Sequence, residues 1–314
     1  MARRGKLIVA AQVVLAIVVV WVVADRLGGQ WAAVENRIAG LQPRWGAIGA
    51  ACALVLLTYG LLVETWRAVV GGWGAHLRYW DAAAIWSISN LGRYVPGKVW
   101  QLGTMAVMAQ QHGVSGVVAA GSALVVTVVN LVAGFVVAAA TGANVLGVSR
   151  LGVATIAIAT AGVFFAPWVL PSLARVAARV TGRDVTLPPL RRGPIWLAAV
   201  ASCVAWVLYG LAFRLLAAGV LGTAPGAPSL YIAVFTGSYL IGFLTLFSPG
   251  GLGTRELAMA AALAKAGLDV GSATILVVTS RLWLTVLEIT PAVLFLAYRA
   301  VRPNRRDASN TATP

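Results

Sequence analysis

The chain has 314 residues, of which 60% are hydrophobic and only 11% are charged. A soluble domain carries about 25% charged residues, so this composition favours an integral membrane protein over a soluble enzyme or a secreted mini-protein. Two cysteines within apolar runs and two isolated histidines make a disulfide framework and a metal site poor fits. We therefore expect no metal and no cofactor.

The net charge of +15 comes from basic residues that lie between the apolar runs. The clusters are Arg3, Arg4 and Lys6; Arg175, Arg179, Arg183, Arg191 and Arg192; and Arg299, Arg302, Arg305 and Arg306. Such a distribution is typical of the inner loops of a polytopic membrane protein. It predicts contact with anionic lipid headgroups and no binding of nucleic acid.

Six apolar runs are long enough to cross a bilayer, which takes roughly 20 residues of helix. In chain order they are Leu7–Ala24, Gly46–Val63, Val117–Ala140, Leu151–Pro171, Ile195–Ala217 and Val270–Ala297. The first run is longer than the apolar part of a signal peptide, so we interpret it as an uncleaved span. Residues 1–301 are predicted to form one membrane domain, and residues 302–314 a disordered cytoplasmic tail.

Two further apolar stretches are interrupted in the middle. Residues 81–112 are broken by the segment Asn90-Leu-Gly-Arg-Tyr-Val-Pro-Gly-Lys98, and residues 230–265 by Ser248-Pro-Gly-Gly-Leu-Gly-Thr-Arg-Glu256. Proline and paired glycines end a helix, and the freed backbone groups cannot face lipid. Each stretch is therefore either two spans or a re-entrant hairpin.

The charge distribution favours the re-entrant hairpins. With six full spans both termini lie on one side, and the basic loop 172–193 joins them there. The positive-inside rule makes this side the cytoplasm. The prediction is an all-α polytopic protein of a bacterial-type inner (cytoplasmic) membrane, with about six transmembrane helices plus two re-entrant helical hairpins and both termini cytoplasmic.

The two interrupted stretches also resemble each other. Each has a Pro-Gly pair followed, 17 or 18 residues later, by a glycine turn in front of the next apolar run. Ser115 and Asp269 occupy the positions where an N-cap would begin that run. This pattern suggests a duplicated unit of span, hairpin and span, covering 46–140 and 195–298. In the predicted topology the two units are inverted, as in many transporters.

Several charged residues fall within apolar segments, where a charge costs roughly 2.5–3.5 kcal/mol at the centre of a span. Arg281 and Glu288 are seven residues apart and share one face of the last span. We expect crossed ion pairs, Arg281 with Glu256 and Glu288 with Arg255. A network of this kind could be purely structural, and that alternative stays open.

The cations at the two breaks outnumber the anions by two when Arg93 and Lys98 are included. A buried excess is unfavourable unless an anion binds. Both breaks resume as helices, with Pro96 suited to a first turn and Thr254 to an N-cap, and helix N-termini suit phosphate. The candidate substrate-binding residues are Asn90, Arg93, Pro96, Gly97, Lys98, Pro249, Gly250, Gly251, Gly253, Thr254, Arg255 and Arg281. Glu256 and Glu288 are the candidates for ion pairing or proton coupling, and no catalytic residue is predicted.

The two interrupted motifs and the Arg281 span resemble the lysylphosphatidylglycerol synthase transmembrane-region family, also called flippase-like domains. The resemblance covers residues 10 to 298. It implies a region that moves lipid between leaflets, whereas a separate soluble domain attaches the amino acid in full-length synthases. The chain ends about sixteen residues after its last span. We therefore expect a stand-alone member that is not an enzyme.

The resulting prediction is a lipid flippase or transporter. It would bind the phosphate headgroup of an anionic phospholipid or polyprenyl-phosphate-linked lipid at the bilayer midplane. One alternative is a non-catalytic membrane partner of a lipid-modifying enzyme or glycosyltransferase. Another is a membrane-embedded transferase with a polyprenyl-phosphate donor, for which Asp81 is the one loose candidate residue.

Overall fold

The computed structural model describes residues 41–94, 99–146, 161, 191–245 and 253–301, and all the regular secondary structure within them is helical. The eight α-helices of the described residues are α1 (Trp45–Gly72), α2 (Tyr79–Asn90), α3 (Val99–Gln110), α4 (Gly116–Leu146), α5 (Arg192–Leu221), α6 (Pro228–Leu244), α7 (Thr254–Lys265) and α8 (Val270–Val301). A 3₁₀ turn at Leu91–Tyr94 follows α2.

Four of these helices are long and apolar enough to cross a membrane, namely α1, α4, α5 and α8. They coincide with four of the six predicted spans, which are confirmed as long apolar helices. The predicted spans Leu7–Ala24 and Leu151–Pro171, apart from Ala161, lie outside the described residues, as does the predicted tail. The protein is therefore a multi-pass α-helical membrane protein.

The two interrupted stretches each fold as a pair of adjacent shorter helices, as predicted. Helices α2, α3 and α7 have 12 residues each, and α6 has 17. At about 1.5 Å per residue a 12-residue helix is roughly 18 Å long, well short of the roughly 30 Å hydrocarbon core. We call the pair α2–α3 hairpin 1 and the pair α6–α7 hairpin 2.

Helices α1 and α5, the first long helices of the two predicted units, run antiparallel. The N–H of Arg44, just before α1, donates to the carbonyl of Gly219 near the end of α5, at 2.8 Å. In the middle of both helices Tyr59 and Tyr209 meet edge to face, with ring centroids 6.2 Å apart. Corresponding helices of opposite direction are what an inverted duplication produces.

The long helix that ends each unit packs against the hairpin of the other unit. Helix α4 packs along α6 of hairpin 2, and α8 packs along α2 of hairpin 1. Each also contacts the second arm of its own hairpin, α3 or α7. The two units therefore interlock reciprocally, and both hairpins are held on both sides by long helices.

The turns that leave the two hairpins have the same hydrogen-bonded geometry. Gly113 and Gly267 adopt φ values of 77° and 90°, and the N–H of the next residue donates to the carbonyl five residues earlier at 3.1 Å in both turns. This is a Schellman C-cap, which requires a residue in the left-handed region. The predicted cap at Asp269 is confirmed, since its carboxylate accepts from Ser272 N–H at 2.9 Å. Ser115 lies directly before α4, and its carbonyl accepts the first helical bond.

Candidate functional site

The two hairpins converge on α8 around a cavity of ≈ 340 Å³. Its polar and charged lining consists of Asn90, Gln101, Thr127, Asn130, Arg255, Arg281, Thr285 and Glu288. Its aromatic lining consists of Tyr59, Trp86, Trp206, Tyr209, Phe235, Tyr239 and Phe243. The structure therefore brings four predicted site residues, Asn90, Arg255, Arg281 and Glu288, to one cavity.

Arg255 is the most deeply buried charged side chain in the described part of the cavity, with 6% of it exposed. Its guanidinium carbon lies 5.0 Å from the ring centroid of Tyr239 and 5.2 Å from that of Phe235. Among the described residues its Nη2 has no hydrogen-bond partner. Two aromatic faces stabilise the cation but accept none of its strong hydrogen bonds.

A close approach of two backbones holds Arg255 in place. A Cβ atom on Gly242 of α6 would lie only 2.7 Å from the Arg255 Cβ and 3.4 Å from its Cα. Only glycine lets α6 come this near to the first turn of α7. The distance brings the Phe235 and Tyr239 rings within reach of the guanidinium.

Glu256 has two partners, one for each carboxylate oxygen. Oε2 accepts the N–H of Gly253 at 2.6 Å, and Oε1 lies 3.6 Å from Nε of Arg281. The predicted pairing of Arg281 with Glu256 is confirmed. Thr254, however, is the first helical residue and not the N-cap, because Gly253 takes the cap position with a φ of 84°. A left-handed backbone at this point favours glycine over threonine.

The predicted ion pair between Arg255 and Glu288 is not the arrangement that the structure shows. Glu288 lines the same cavity and acts electrostatically on Arg255. The guanidinium nevertheless lies against Tyr239 and Phe235, and its Nη2 is not hydrogen-bonded to any described residue. The sequence did not indicate these rings, because they come from a different helix.

The predicted excess of positive charge is not found among the described side chains. Arg255 and Arg281 are matched in formal charge by Glu256 and Glu288. The excess therefore rests on Arg93 and Lys98. Arg93 lies in the 3₁₀ turn with its side chain outside the described atoms, and Lys98 lies outside the described residues, together with Pro96, Gly97, Pro249, Gly250 and Gly251.

Hairpin 1 contributes a neutral amide pair that the sequence did not single out. Nε2 of Gln101, in the first turn of α3, donates to Oδ1 of Asn90, at the end of α2, at 2.6 Å. A Cβ atom on Gly92 would lie 2.7 Å from the Gln101 backbone nitrogen. The arms of hairpin 1 are thus as closely packed as those of hairpin 2. Gln101 is the functional candidate that the sequence reasoning missed.

Outside the cavity, Asp81 is paired with the turn that follows α3. Its Oδ1 lies 3.7 Å from Nε2 of His112, whose Nδ1 is 2.9 Å from the Met108 carbonyl oxygen. This pair connects the beginning of hairpin 1 to its end. The carboxylate does not line the cavity.

The fold and the cavity define a polytopic helical membrane protein with a charged, aromatic-lined internal site. Residues 9–291 match the family model described as the lysylphosphatidylglycerol synthase TM region, and no family of soluble synthase domains matches alongside it. The chain belongs to this family, which indicates a role connected with membrane lipids. No curated protein matches the chain.

Proposed function

We propose that the protein binds the phosphate headgroup of an anionic lipid in this cavity and moves the lipid between leaflets. The lipid would be an anionic phospholipid or a polyprenyl-phosphate-linked lipid. The observation that supports the proposal most strongly is Arg255, which is 6% exposed, lines the cavity and has no partner for Nη2 among the described residues. The family membership supports the lipid part of the proposal.

Burial of the Arg255 cation carries a free-energy cost. A guanidinium that loses water without gaining acceptors is strongly unfavourable, and a cation–π contact recovers only about 0.5–2 kcal/mol. A phosphate offers charged oxygens to which arginine donates short, strong hydrogen bonds. Arg255 and Arg281 both line the cavity, so one phosphate there could accept from both.

The structure changes which groups would hold the phosphate. The N-terminus of α7 was a predicted contributor through its free N–H groups. The Glu256 carboxylate already accepts one of them, from Gly253, and brings a negative charge to the same helix end. We therefore assign phosphate binding to the arginine side chains. Glu256 and Glu288 keep those cations in position and are the groups available to take a coupling proton.

For the membrane topology we propose six full spans with both hairpins re-entrant, and both termini in the cytoplasm of an inner-membrane protein. The 12-residue arms α2, α3 and α7 support re-entrance, since they are too short to cross the bilayer. The antiparallel packing of α1 and α5 supports an inverted arrangement, as does the bond from Arg44 to Gly219. Rocking of one unit against the other would expose the cavity alternately to the two leaflets.

The proposal is tested in vesicles reconstituted with the purified protein and a lipid carrying a fluorescent tag on its acyl chain. We expect Arg255→Gln and Arg281→Gln each to slow the movement of an anionic phospholipid at least about tenfold, as loss of a charged hydrogen bond predicts. Arg67→Gln is the matched control, because Arg67 is paired with Glu64 at 2.6 Å on α1 and does not line the cavity. Wild-type rates in correctly inserted Arg255→Gln protein would refute the proposal.

A second function is favoured by the formal charge balance of the described cluster. Two arginines and two glutamates at the cavity are compatible with a structural network in a non-catalytic partner of a lipid-modifying enzyme or glycosyltransferase. In that case the purified protein would move no lipid and would co-purify with one such enzyme. Under either function we propose that the chain itself carries out no chemical step.

A further inference from the structure

The charged side chains that line the described part of the cavity all belong to the second unit. Gly113 and Gly267, which form the two Schellman turns, are 154 positions apart and set the register between the units. In this register each charged lining residue corresponds to a neutral residue of the first unit, namely Arg255 to Gln101, Arg281 to Thr127 and Glu288 to Gly134. Glu288 is the one carboxylate among the described lining residues.

The formal charges of the described cluster balance without any further ion. Arg255 and Arg281 contribute two positive charges, and Glu256 and Glu288 contribute two negative charges. A phosphodiester would add one negative charge to a site within the helix bundle. Unbalanced charge in a low-dielectric site is costly, so binding of the lipid favours the uptake of a compensating positive charge.

Glu288 lies where it would compete with that phosphate. It lines the cavity together with Arg255 and acts electrostatically on the Arg255 guanidinium. Two anionic groups close together in such a site repel each other, and a proton on one of them removes the repulsion, as in paired carboxylates. A phosphate that replaces Glu288 as the countercharge of Arg255 would therefore leave the carboxylate to take up a proton.

The helices around α8 bring few other charged groups to Glu288. Arg255 and Arg281 share the cavity wall with it, and Asp81 of α2 does not line the cavity. Arg93 lies in the 3₁₀ turn that packs against α8, with its side chain outside the described atoms. The titratable side chains that other helices contribute to the wall are tyrosines, which carry no charge near neutral pH, namely Tyr59, Tyr209 and Tyr239. Among the described wall residues, Glu288 is thus the acid that a bound phosphate would meet.

The structure also narrows the choice between the two glutamates that could take a coupling proton. Oε2 of Glu256 accepts the N–H of Gly253 at 2.6 Å, and its buried Oε1 lies 3.6 Å from Nε of Arg281. Glu256 does not belong to the described lining of the cavity. It therefore remains the ionised partner of Arg281 and holds that side chain in place, and the proton goes to Glu288.

We infer that each anionic lipid enters the cavity together with one proton, which Glu288 takes up from the aqueous phase as the phosphate replaces it beside Arg255. This inference rests on the proposed function, since it concerns the same cavity. The step forms an O–H bond on the carboxylate and makes no covalent change in the lipid. A monoanionic phosphodiester and one proton together add no net charge, so the loaded site stays balanced. A proton suits a single carboxylate, whereas metal cations such as Ca²⁺ need several oxygen ligands.

The test is isothermal titration calorimetry of the purified protein with dihexanoyl phosphatidylglycerol, a short-chain lipid whose phosphodiester keeps one negative charge throughout the range used. We expect the wild type to bind at least about tenfold more tightly at about pH 5.5 than at about pH 7.5, because uptake of a proton on binding makes the affinity fall as the pH rises. Glu288→Gln mimics the protonated side chain, so its affinity should be the same at both pH values within about twofold. Glu64→Gln is the matched control and should keep the wild-type pH dependence, since Glu64 is paired with Arg67 at 2.6 Å and does not line the cavity.

Calorimetry in two buffers with different ionisation enthalpies counts the protons directly and requires no variant. We expect the wild type to take up at least about half a proton per lipid at about pH 6.5, and Glu256→Gln to keep this uptake. No measurable uptake would overturn the inference and leave phosphate binding intact, because a basic side chain would then supply the countercharge. A pH dependence retained in Glu288→Gln would overturn it equally. If the wild type bound the lipid at neither pH, the proposed function itself would fail.

Discussion

Tyr59 and Tyr209 meet edge to face between α1 and α5, with ring centroids 6.2 Å apart, and the two residues are 150 positions apart in the chain. Each tyrosine is followed by glycine and leucine. Both rings line the cavity. The contact lies where a two-fold axis relating the two predicted units would pass.

The proposed arrangement of the hairpins predicts from which side of the membrane a reagent can reach each of them. In protein lacking Cys52 and Cys203, we expect Gln111→Cys, after hairpin 1, to react with a membrane-impermeant maleimide only from the cytoplasmic side. Lys265→Cys, at the end of hairpin 2, should react only from the opposite side, because the proposed topology inverts the second unit relative to the first. Both positions are exposed in the structure. Labelling of both cysteines from one side would contradict the inverted topology.

Gly242→Ala should disturb the site without touching its charges. The added Cβ would lie 2.7 Å from the Arg255 Cβ, so α6 and α7 must move apart. Overpacking of this kind costs about 1–3 kcal/mol, and we expect a lower melting temperature together with weaker binding of anionic lipid. Gly103→Ala is the matched control, since nothing lies within 4 Å of its would-be Cβ. Thermal unfolding followed by fluorescence-detected size exclusion gives the melting temperature of each variant, and native mass spectrometry gives the lipid bound to it. Equal melting temperatures of Gly242→Ala and Gly103→Ala would show that α6 and α7 accommodate the added Cβ without cost.

Tyr239→Leu removes one of the two rings that stabilise Arg255, whose guanidinium carbon lies 5.0 Å from the centroid. We expect a loss of about 0.5–2 kcal/mol of stability in the lipid-free protein. Tyr239→Phe keeps the ring face and should retain most of the wild-type stability. Added anionic lipid should reduce the difference in stability between Tyr239→Leu and the wild type, because a bound phosphate replaces part of the lost interaction with Arg255. The same destabilisation in both variants would show that the hydroxyl, and not the ring, matters.

Glu256→Gln separates the two roles of this side chain. A glutamine can still accept the Gly253 N–H, so the start of α7 should be preserved. The ion pair with Arg281 is lost, and the formal charge at the cavity becomes more positive. We predict more anionic lipid retained per protein but slower release in the vesicle assay. Glu256→Ala, which loses the cap as well, should also be less stable, and unchanged retention in Glu256→Gln would argue against charge control of binding.

Asp269→Ala is predicted to affect stability alone. The carboxylate caps α8 by accepting from Ser272 N–H at 2.9 Å, and loss of such a cap costs about 1 kcal/mol. Asp269 does not line the cavity, so the relative affinities for different lipids should stay the same. Asp269→Asn should restore the stability. A change in lipid preference in either variant would link this turn to the site in a way that the structure does not show.

The sequence was sufficient for features that depend on local pattern. Apolar length predicted the helices α1, α4, α5 and α8, and helix-breaking residues predicted where the two hairpins divide. Charge complementarity predicted the pairing of Arg281 with Glu256, because helical spacing restricts which groups can meet. The turn chemistry at Asp269 was equally readable.

The sequence was not sufficient for features that depend on how distant helices pack. The rings beside Arg255 come from α6. The close packing of α6 against α7 at Gly242 cannot be deduced from the spacing of residues in the sequence. Gln101 was missed because a lone amide carries no charge signal. The correspondence of Gln101 with Arg255, 154 positions later, is the signal that could have found it.

The central claim is that the buried Arg255 binds the phosphate of an anionic lipid. The most direct test of it is to identify the lipid that stays with the protein during purification. Native mass spectrometry of wild-type and Arg255→Gln protein, both purified in a mild detergent, compares the retained lipids. Our account predicts about one anionic phosphate-bearing lipid per wild-type chain and markedly less in Arg255→Gln. Equal retention in the two proteins, or retention of uncharged lipid alone, would contradict it.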